Sequence, residues 1–452
     1  MKAIVISLSV FCATYLFAID VAKGESTAFV NVNVVPMTSE AIARNQTVVV
    51  TDGVIVSVSG VDDTPVPEDA VIVDGTDRYL MPGLAEMHGH VPGGSSGNLE
   101  RVLSLYLANG VTTVRGMLGQ PSHLVMRSDI HERRLLGPRL ITSGPSFNGR
   151  SVSSPEQGTH MAEDQVAAGY DFLKIHPGLT REEFDAIAET ANRLDIRFAG
   201  HVPEDVGVER ALAAGIATID HLDGYMETLL PVNDDPSGGL AGFFGVFIAD
   251  QADLSKIPNI ARATAEAGVW NVPTESLFEH VTIAEWVPED MVRWPEMKYM
   301  PKQTIAQWQG AKRDVLSDDN YDRDTARRAV DIRRKLIMEL KSAGAGLLLG
   351  SDSPQIFNVP GFALHRELKY LVDAGLTPFE VLQMGTVNPA RFFASEDVFG
   401  SVREGLEADL ILLDANPLED INNTRRIHGV MVRGRWLSRT DLDKMLERFE
   451  RE

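Results

Sequence analysis

Two histidines separated by one glycine, His88-Gly89-His90, close the apolar run Leu84-Ala85-Glu86-Met87. On an extended chain, side chains two apart point the same way, so both imidazoles can reach one metal ion, with Gly89 leaving room for it. Other ionisable residues close apolar runs in the same manner. They are Lys174 in Leu173-Lys174-Ile175-His176, His201 in Gly200-His201-Val202-Pro203, His221 in Asp220-His221-Leu222 and Asp352 in Gly350-Ser351-Asp352-Ser353. Taken singly, each has an ordinary explanation. A histidine at a strand end is commonly a hydrogen-bonded structural residue, an Asp before Ser can cap a helix, and a Lys can stretch its ammonium group to solvent. Four histidines, one Lys and one Asp in equivalent positions point instead to a metal site.

For those residues to converge, the runs they close must end at one rim. Between residues 81 and 397, apolar strands alternate with helical stretches, and eight strand candidates emerge: 83–90, 110–117, 138–143, 170–176, 196–202, 216–222, 269–274 and 346–352. Asn109-Gly110, Ala214-Gly215, Ala267-Gly268 and Ala343-Gly344 supply glycines where the preceding helices must stop. Eight alternating units predict an α/β protein, a closed (β/α)8 TIM barrel with its reactive groups at the C-terminal strand ends; an open doubly wound sheet is the alternative. Shorter strand-like runs at 28–35, 47–51, 54–59 and 71–73, with an Asp52-Gly53 hairpin turn, have counterparts at 408–414 and 430–434. Neither group makes a stable sheet alone, so residues 25–80 and 398–452 are expected to build one small β-sandwich from both chain ends. Residues 276–343 exceed one crossover helix and carry Trp286, Trp294, Tyr299 and Trp308. That excursion reads either as a lid or substrate wall, or as helical packing against the barrel.

The chain has 452 residues, 44% hydrophobic, which excludes disorder, and 42 Lys+Arg against 64 Asp+Glu give a net charge of −22. Such a field repels phosphate backbones and anionic membrane surfaces, so nucleic-acid partners are excluded and a small-molecule substrate is expected. Residues 1–24 open with Lys2 and an uncharged run from Ala3 to Ala18, shorter than a bilayer span. They read as a secretory signal leading to the periplasm or the exterior; an uncleaved anchor is the alternative. The single cysteine, Cys12, lies within it, so the mature chain would have neither a thiol nucleophile nor a disulfide. Homo-oligomerisation is left open.

The segment from Tyr79 to His90, including Met81-Pro82-Gly83-Leu84, resembles the opening signature of the amidohydrolase superfamily. Thr386-Val387-Asn388-Pro389-Ala390, the run from Gly400 through Gly405 and Asp409 to Asp414, and Val432-Arg433-Gly434 resemble that family's return to its small domain. Within it, the chain is similar to the imidazolonepropionase-like branch, which contains Xaa-Pro dipeptidases and carboxypeptidases. The resemblance implies hydrolysis of an amide-type C–N bond by a divalent-metal centre, with zinc the default. It implies that His88 and His90 hold one ion, that carboxylated Lys174 bridges to a second held by His201 and His221, and that Asp352 ligates the first ion and acts as general base. A neutral Lys can react with carbon dioxide, and two divalent ions acidify a shared water.

A one-metal version on His88, His90, His201 and Asp352 stays open, with His221 then hydrogen-bonding substrate or water. His176, Tyr225, Asn148 and His280 are the expected substrate contacts, whereas His365 and His428 read as structural. The same water could attack a lactone or phosphotriester, and a non-catalytic periplasmic metal- or solute-binding protein is the non-enzymatic alternative.

Overall fold

In the computed structural model, which describes residues 25–94, 97–231 and 241–450, the strand that bears His88 and leads directly into His90 is Leu84–Gly89, buried throughout. The expected export segment lies outside the described residues. Seven further strands follow: Val111–Gly116, Arg139–Thr142, Leu173–Ile175, Phe198–Gly200, Thr218–Asp220, Trp270–Val272 and Gly346–Leu347. Each lies inside one of the eight runs read from the sequence. The observed strands are shorter at their C-terminal ends because several chemistry-bearing residues leave extended geometry there, with φ of 65° at His221 and 58° at Asp352.

The first three of these strands form one parallel sheet and the remaining five another. Backbone bonds join the two sheets at both edges. Between the third and fourth strands, Asp171 N donates to Thr142 O at 3.0 Å and Phe147 N to Lys174 O at 2.8 Å. Between the eighth and first, Met87 N donates to Leu349 O and His90 N to Ser353 O, both at 2.8 Å. The helices between strands stop where the sequence supplies glycine: Gly215 and Gly344 adopt left-handed φ of 84° and 86° directly after Ala214 and Ala343. Thr180 opens the helix Arg181–Arg193 with a reciprocal capping box to Glu183, which satisfies two otherwise unpaired N–H groups.

Strands from both chain ends build one eight-stranded sheet, in which Leu410–Leu413 pairs antiparallel with Tyr79–Pro82. Its core contains Phe29, Val34, Val50, Leu80, Leu412 and Met431. Tyr79–Pro82 runs into the first parallel strand after the single residue Gly83, so this sheet anchors the strand that carries His88 and His90. The excursion folds as helices, chiefly Lys302–Leu316 and Arg323–Ala343. Its aromatic residues pack inward: Trp308 lies against Phe357, Tyr299 stacks on Phe362, and the Arg366 guanidinium sits 3.9 Å above the Trp294 ring. No helix among the described residues is long and apolar enough to cross a membrane.

At the seam beneath the two histidines there is no spare space. A methyl group on Gly350 would meet Val272 Cγ1 at 2.5 Å and the His88 backbone nitrogen at 2.8 Å. Gly350→Ala is therefore expected to cost about 1–3 kcal/mol in urea unfolding, by forcing the eighth strand from the first.

Candidate active site

The seam that joins the first and eighth strands brings Asp352 to the two histidines. His90 Nε2 lies 2.6 Å from Asp352 Oδ1, and His88 Nε2 lies 3.7 Å from the same oxygen. One ligand atom from each of His88, His90 and Asp352 falls within 4.8 Å of the others. Beneath them Glu86, fully buried, accepts the backbone N–H groups of His88 and Ser351 and the Ser351 hydroxyl. Burial pushes the Glu86 carboxyl up to about 7 despite those bonds. Its side chain ties the strand carrying His88 to the turn carrying Asp352.

The other predicted residues complete an array on the same rim. The His221 ring lies 4.4 Å from that of His88 and 4.7 Å from that of His201, and His176 stacks on His201 at 5.0 Å, centroid to centroid. Three of these imidazoles have Nδ1 beside an oxygen. His201 Nδ1 pairs with Asp223 at 2.9 Å and His221 Nδ1 with the Thr274 hydroxyl at 2.9 Å. His88 Nδ1 lies 2.9 Å from Asp220 Oδ2, off the hydrogen-bonding direction. Such partners fix ring orientation and leave Nε2 for the centre of the site.

Lys174 Nζ, fully buried, has no hydrogen-bond partner among the described residues; the nearest carboxylate oxygen, on Asp220, is 3.9 Å away. Burial lowers its amine to about 8. Arg115, also buried, donates to Met87 O, Thr218 and Asp220. Burial alone would raise Asp220, but Arg115 and then Lys174 outweigh it and hold that carboxyl below its ordinary value. Burial also pushes His88 and His221 well below the usual imidazole range, and His176 down to about 2, so these rings are neutral and carry free lone pairs. Neutral imidazoles and a carboxylate form a donor set that fits a divalent cation, with Lys174 Nζ and His176 Nδ1 unbonded beside it.

Left-handed backbone concentrates here as well: His221, Leu222, Phe244, Thr274 and Asp352 all have φ between 51° and 65°. Each such non-glycine residue costs on the order of 1–3 kcal/mol, strain that surrounding packing must hold in place. Phe244 lies flat over His221 at 4.8 Å and over His201 at 6.0 Å, walling that side of the array.

Three expected substrate contacts make other bonds in the structure. Tyr225 is fully buried, its hydroxyl donating to Asn271 and sharing a bond with Thr264, because it opens a short helix whose inner face packs away from the rim. His280 is buried with Nδ1 on Asn358 and Nε2 on Tyr370, which leaves no nitrogen for a substrate. Asn148 spends its amide inside its own loop, accepting from the Arg150 and Ser151 backbones and donating to Ser146. His176 remains within the array. Sequence reasoning passed over Arg115, Asp220, Asp223, Thr274 and Phe244. Asp220 adjoins His221 and Asp223 follows two residues later, so a search for carboxylates flanking strand-end histidines would have found both.

This constellation defines a class, and comparison with known proteins agrees. The sequence model described as Amidohydrolase family matches residues 79–437, and the chain belongs to that family. It is accordingly a hydrolase acting on carbon–nitrogen bonds. Over 425 aligned residues it is 23% identical to ochratoxinase from Aspergillus niger, covering 84% of this chain and 79% of the relative. Among solved structures it is similar to bottromycin amidohydrolase, with a TM-score of 0.69, 24% identity and coverage of 93% of this chain and 88% of the other. It is also similar to a Xaa-Pro dipeptidase solved with bound methionine in its active site, with a TM-score of 0.66, 19% identity and coverage of 92% and 100%.

Loss of an orienting partner weakens metal sites by roughly 10–100-fold. Asp220→Asn, which leaves Arg115 uncompensated and His88 loosely held, is expected to weaken zinc binding to the purified protein by about that factor. Competition with a chromophoric chelator measures it, and unchanged affinity would remove Asp220 from this role.

Proposed function

We propose that the chain is an exported metallohydrolase that cleaves the amide bond of a small substrate, an N-acyl amino acid or a dipeptide. The observation that carries this reading is the meeting of His88, His90 and Asp352, with ligand atoms inside 4.8 Å, beside an unbonded, buried Lys174. The relatives named above, an ochratoxinase, an amidohydrolase and a Xaa-Pro dipeptidase, support the substrate class. The eight parallel strands, bonded at both sheet edges, support a closed (β/α)8 barrel over residues 81–397. The sheet built from residues 25–80 and 398–452 serves as the small β-domain, and residues 1–24 as the export signal.

In this reading His88, His90 and Asp352 hold one divalent ion, and His201, His221 and carboxylated Lys174 hold a second. The ions, zinc by default, supply Lewis acidity toward the scissile carbonyl and toward water. Asp352 takes the proton of the attacking water and returns it to the departing nitrogen, so C–N cleavage leaves a carboxylic acid and an amine. His176, neutral and unbonded at Nδ1, hydrogen-bonds the substrate, and Phe244 keeps bulk water from the Nε2 faces of His201 and His221. Arg115 and Asp220 fix His88 from below.

Only the neutral amine of Lys174 reacts with carbon dioxide, and burial makes that form dominant above about 8. Reconstitution of metal-free protein with zinc at a fixed partial pressure of carbon dioxide is therefore expected to speed up as pH rises toward about 8 and to level off above it. Elemental analysis should then return two ions per chain, against one for an inactive Lys174→Ala protein. One ion in the wild type together with an active Lys174→Ala enzyme would overturn the two-ion centre.

The activity itself is tested by incubating metal-replete protein with panels of N-acyl amino acids and dipeptides. Release of free amine is expected, and Asp352→Asn should lower kcat by about 10²–10⁴. Absence of turnover across both panels rejects the substrate class.

A further inference from the structure

The sixth and seventh parallel strands stop pairing after Asp220 and Val272. Just beyond, the backbone turns left-handed at His221 and Thr274, with φ of 65° and 52°. There the two side chains meet, His221 Nδ1 lying 2.9 Å from the Thr274 hydroxyl. Such backbone at non-glycine residues persists only where neighbours over-determine it. One buried side chain supplies that restraint from outside both strands. Arg333, only 2% exposed, projects from the helix Arg323–Ala343, which leads into the eighth strand. Its Nη1 donates to His221 O and its Nη2 to Pro273 O, both at 2.7 Å. Its Nε donates to Glu275 Oε1 at 2.8 Å, and the guanidinium lies 4.2 Å above the Phe278 ring.

These bonds exceed what a simple ion pair requires. Pairing with Glu275 would use one edge of the guanidinium, and a buried pair by itself contributes little net stability. The remaining N–H groups go to the carbonyl of His221 and to that of the residue before Thr274. Both carbonyls belong to the two turns whose side chains form the His221–Thr274 bond. Glu275 is itself fixed, since its backbone N–H and that of Ser276 donate to the buried Glu367 at 2.9 and 2.6 Å. A planar fork of donors reaches a carboxylate and two carbonyls at set angles, whereas an ammonium donates from one point.

We infer that Arg333 is a positioning residue of the site: by clamping the His221 and Pro273 carbonyls it keeps the His221 imidazole against Thr274, in place to hold an ion. The clamp gives the helix before the eighth strand a part in the rim across 112 positions of sequence. As a contribution to the second ion, the assignment rests on the two-ion reading. As a restraint on the His221 ring, it stands apart from that reading.

Two variants of the full chain test it. Arg333→Lys keeps a cation beside Glu275 and removes the fork. Arg333→Met combined with Glu275→Gln removes both charges, so neither is left buried alone. Competition with a chromophoric chelator measures zinc affinity, and thermal unfolding of the metal-free proteins reports the fold. In both variants one ion should weaken by about 10–100-fold, the same ion that His221→Asn weakens, while the other keeps its wild-type affinity. Glu275→Gln alone, which retains the carbonyl clamp, should stay within about twofold of wild type. Thr274→Val should reproduce the loss, and adding Arg333→Lys to it should weaken binding by less than about twofold more, because both changes release the same ring. In parallel, ring-nitrogen NMR of metal-free, histidine-labelled protein reads the imidazole directly, its signals identified by their loss in His221→Asn. Wild type should give one sharp pair, and Arg333→Lys a broadened or shifted one.

Equal weakening of both ions, unchanged zinc affinity in Arg333→Lys, or full additivity with Thr274→Val overturns the inference. A loss in Glu275→Gln as large as in the combined variant assigns the effect to the ion pair and overturns it as well. If the combined variant does not fold, Arg333→Lys carries the test alone. Should wild type bind one ion, the two-ion reading falls and the ring spectra decide. A sharp, unshifted His221 pair in Arg333→Lys then rejects the clamp, and a broadened or shifted pair upholds it.

Discussion

The site depends on one structural constraint, the hydrogen-bonded seam between the eighth parallel strand and the first. Two backbone bonds, Met87 N to Leu349 O and His90 N to Ser353 O, bring together residues 262 positions apart in the chain. Glu86 reinforces the seam from beneath by accepting from both sides of it. Were the seam to open, Asp352 would leave the two histidines, and the site would lose the one carboxylate among the described residues in contact with both. Its closeness also explains the glycine at position 350, where the eighth strand passes within van der Waals range of the His88 backbone.

Charge inside the molecule is arranged very differently from charge outside. The chain carries a net −22, yet the base of the site holds a compact buried group in which the Arg115 guanidinium is bonded to Asp220. That pairing keeps Asp220 ionised beside His88, while burial keeps His88 and His221 neutral. A buried ion pair of this kind contributes little net stability, because desolvation offsets most of the attraction. Its value here is positional. It keeps a carboxylate oxygen 2.9 Å from His88 Nδ1.

The same economy governs the backbone. Left-handed conformations at His221, Thr274 and Asp352 are unfavourable in isolation, and they persist because both strand ends and the loops beyond them are fixed by neighbours. The terminal sheet contributes by gripping Tyr79–Pro82, one residue before the first parallel strand begins. Pieces of chain from both ends thus stiffen an element whose function lies at its far end.

Much of this was legible in the amino-acid sequence, for a local reason. Strand and helix periodicity depend on neighbouring residues, so all eight parallel strands and the glycine stops at Gly215 and Gly344 could be read directly. The rim residues were legible for the same reason, since a side chain closing an apolar strand can only stand at that strand's end. What lay beyond reading were contacts across the fold. Thr274 meets His221 across 53 positions, and Arg115 meets Asp220 across 105, through registers that no local pattern encodes. Side chains past the strand ends were equally hidden, because the turn of a short helix decides whether they face the rim or the core; Tyr225 and His280 went to the core. Residue type and order therefore determined which groups are brought to the rim. Only the tertiary packing, through strand register and the rotation of each loop, decided which of them meet and which are held by a neighbour.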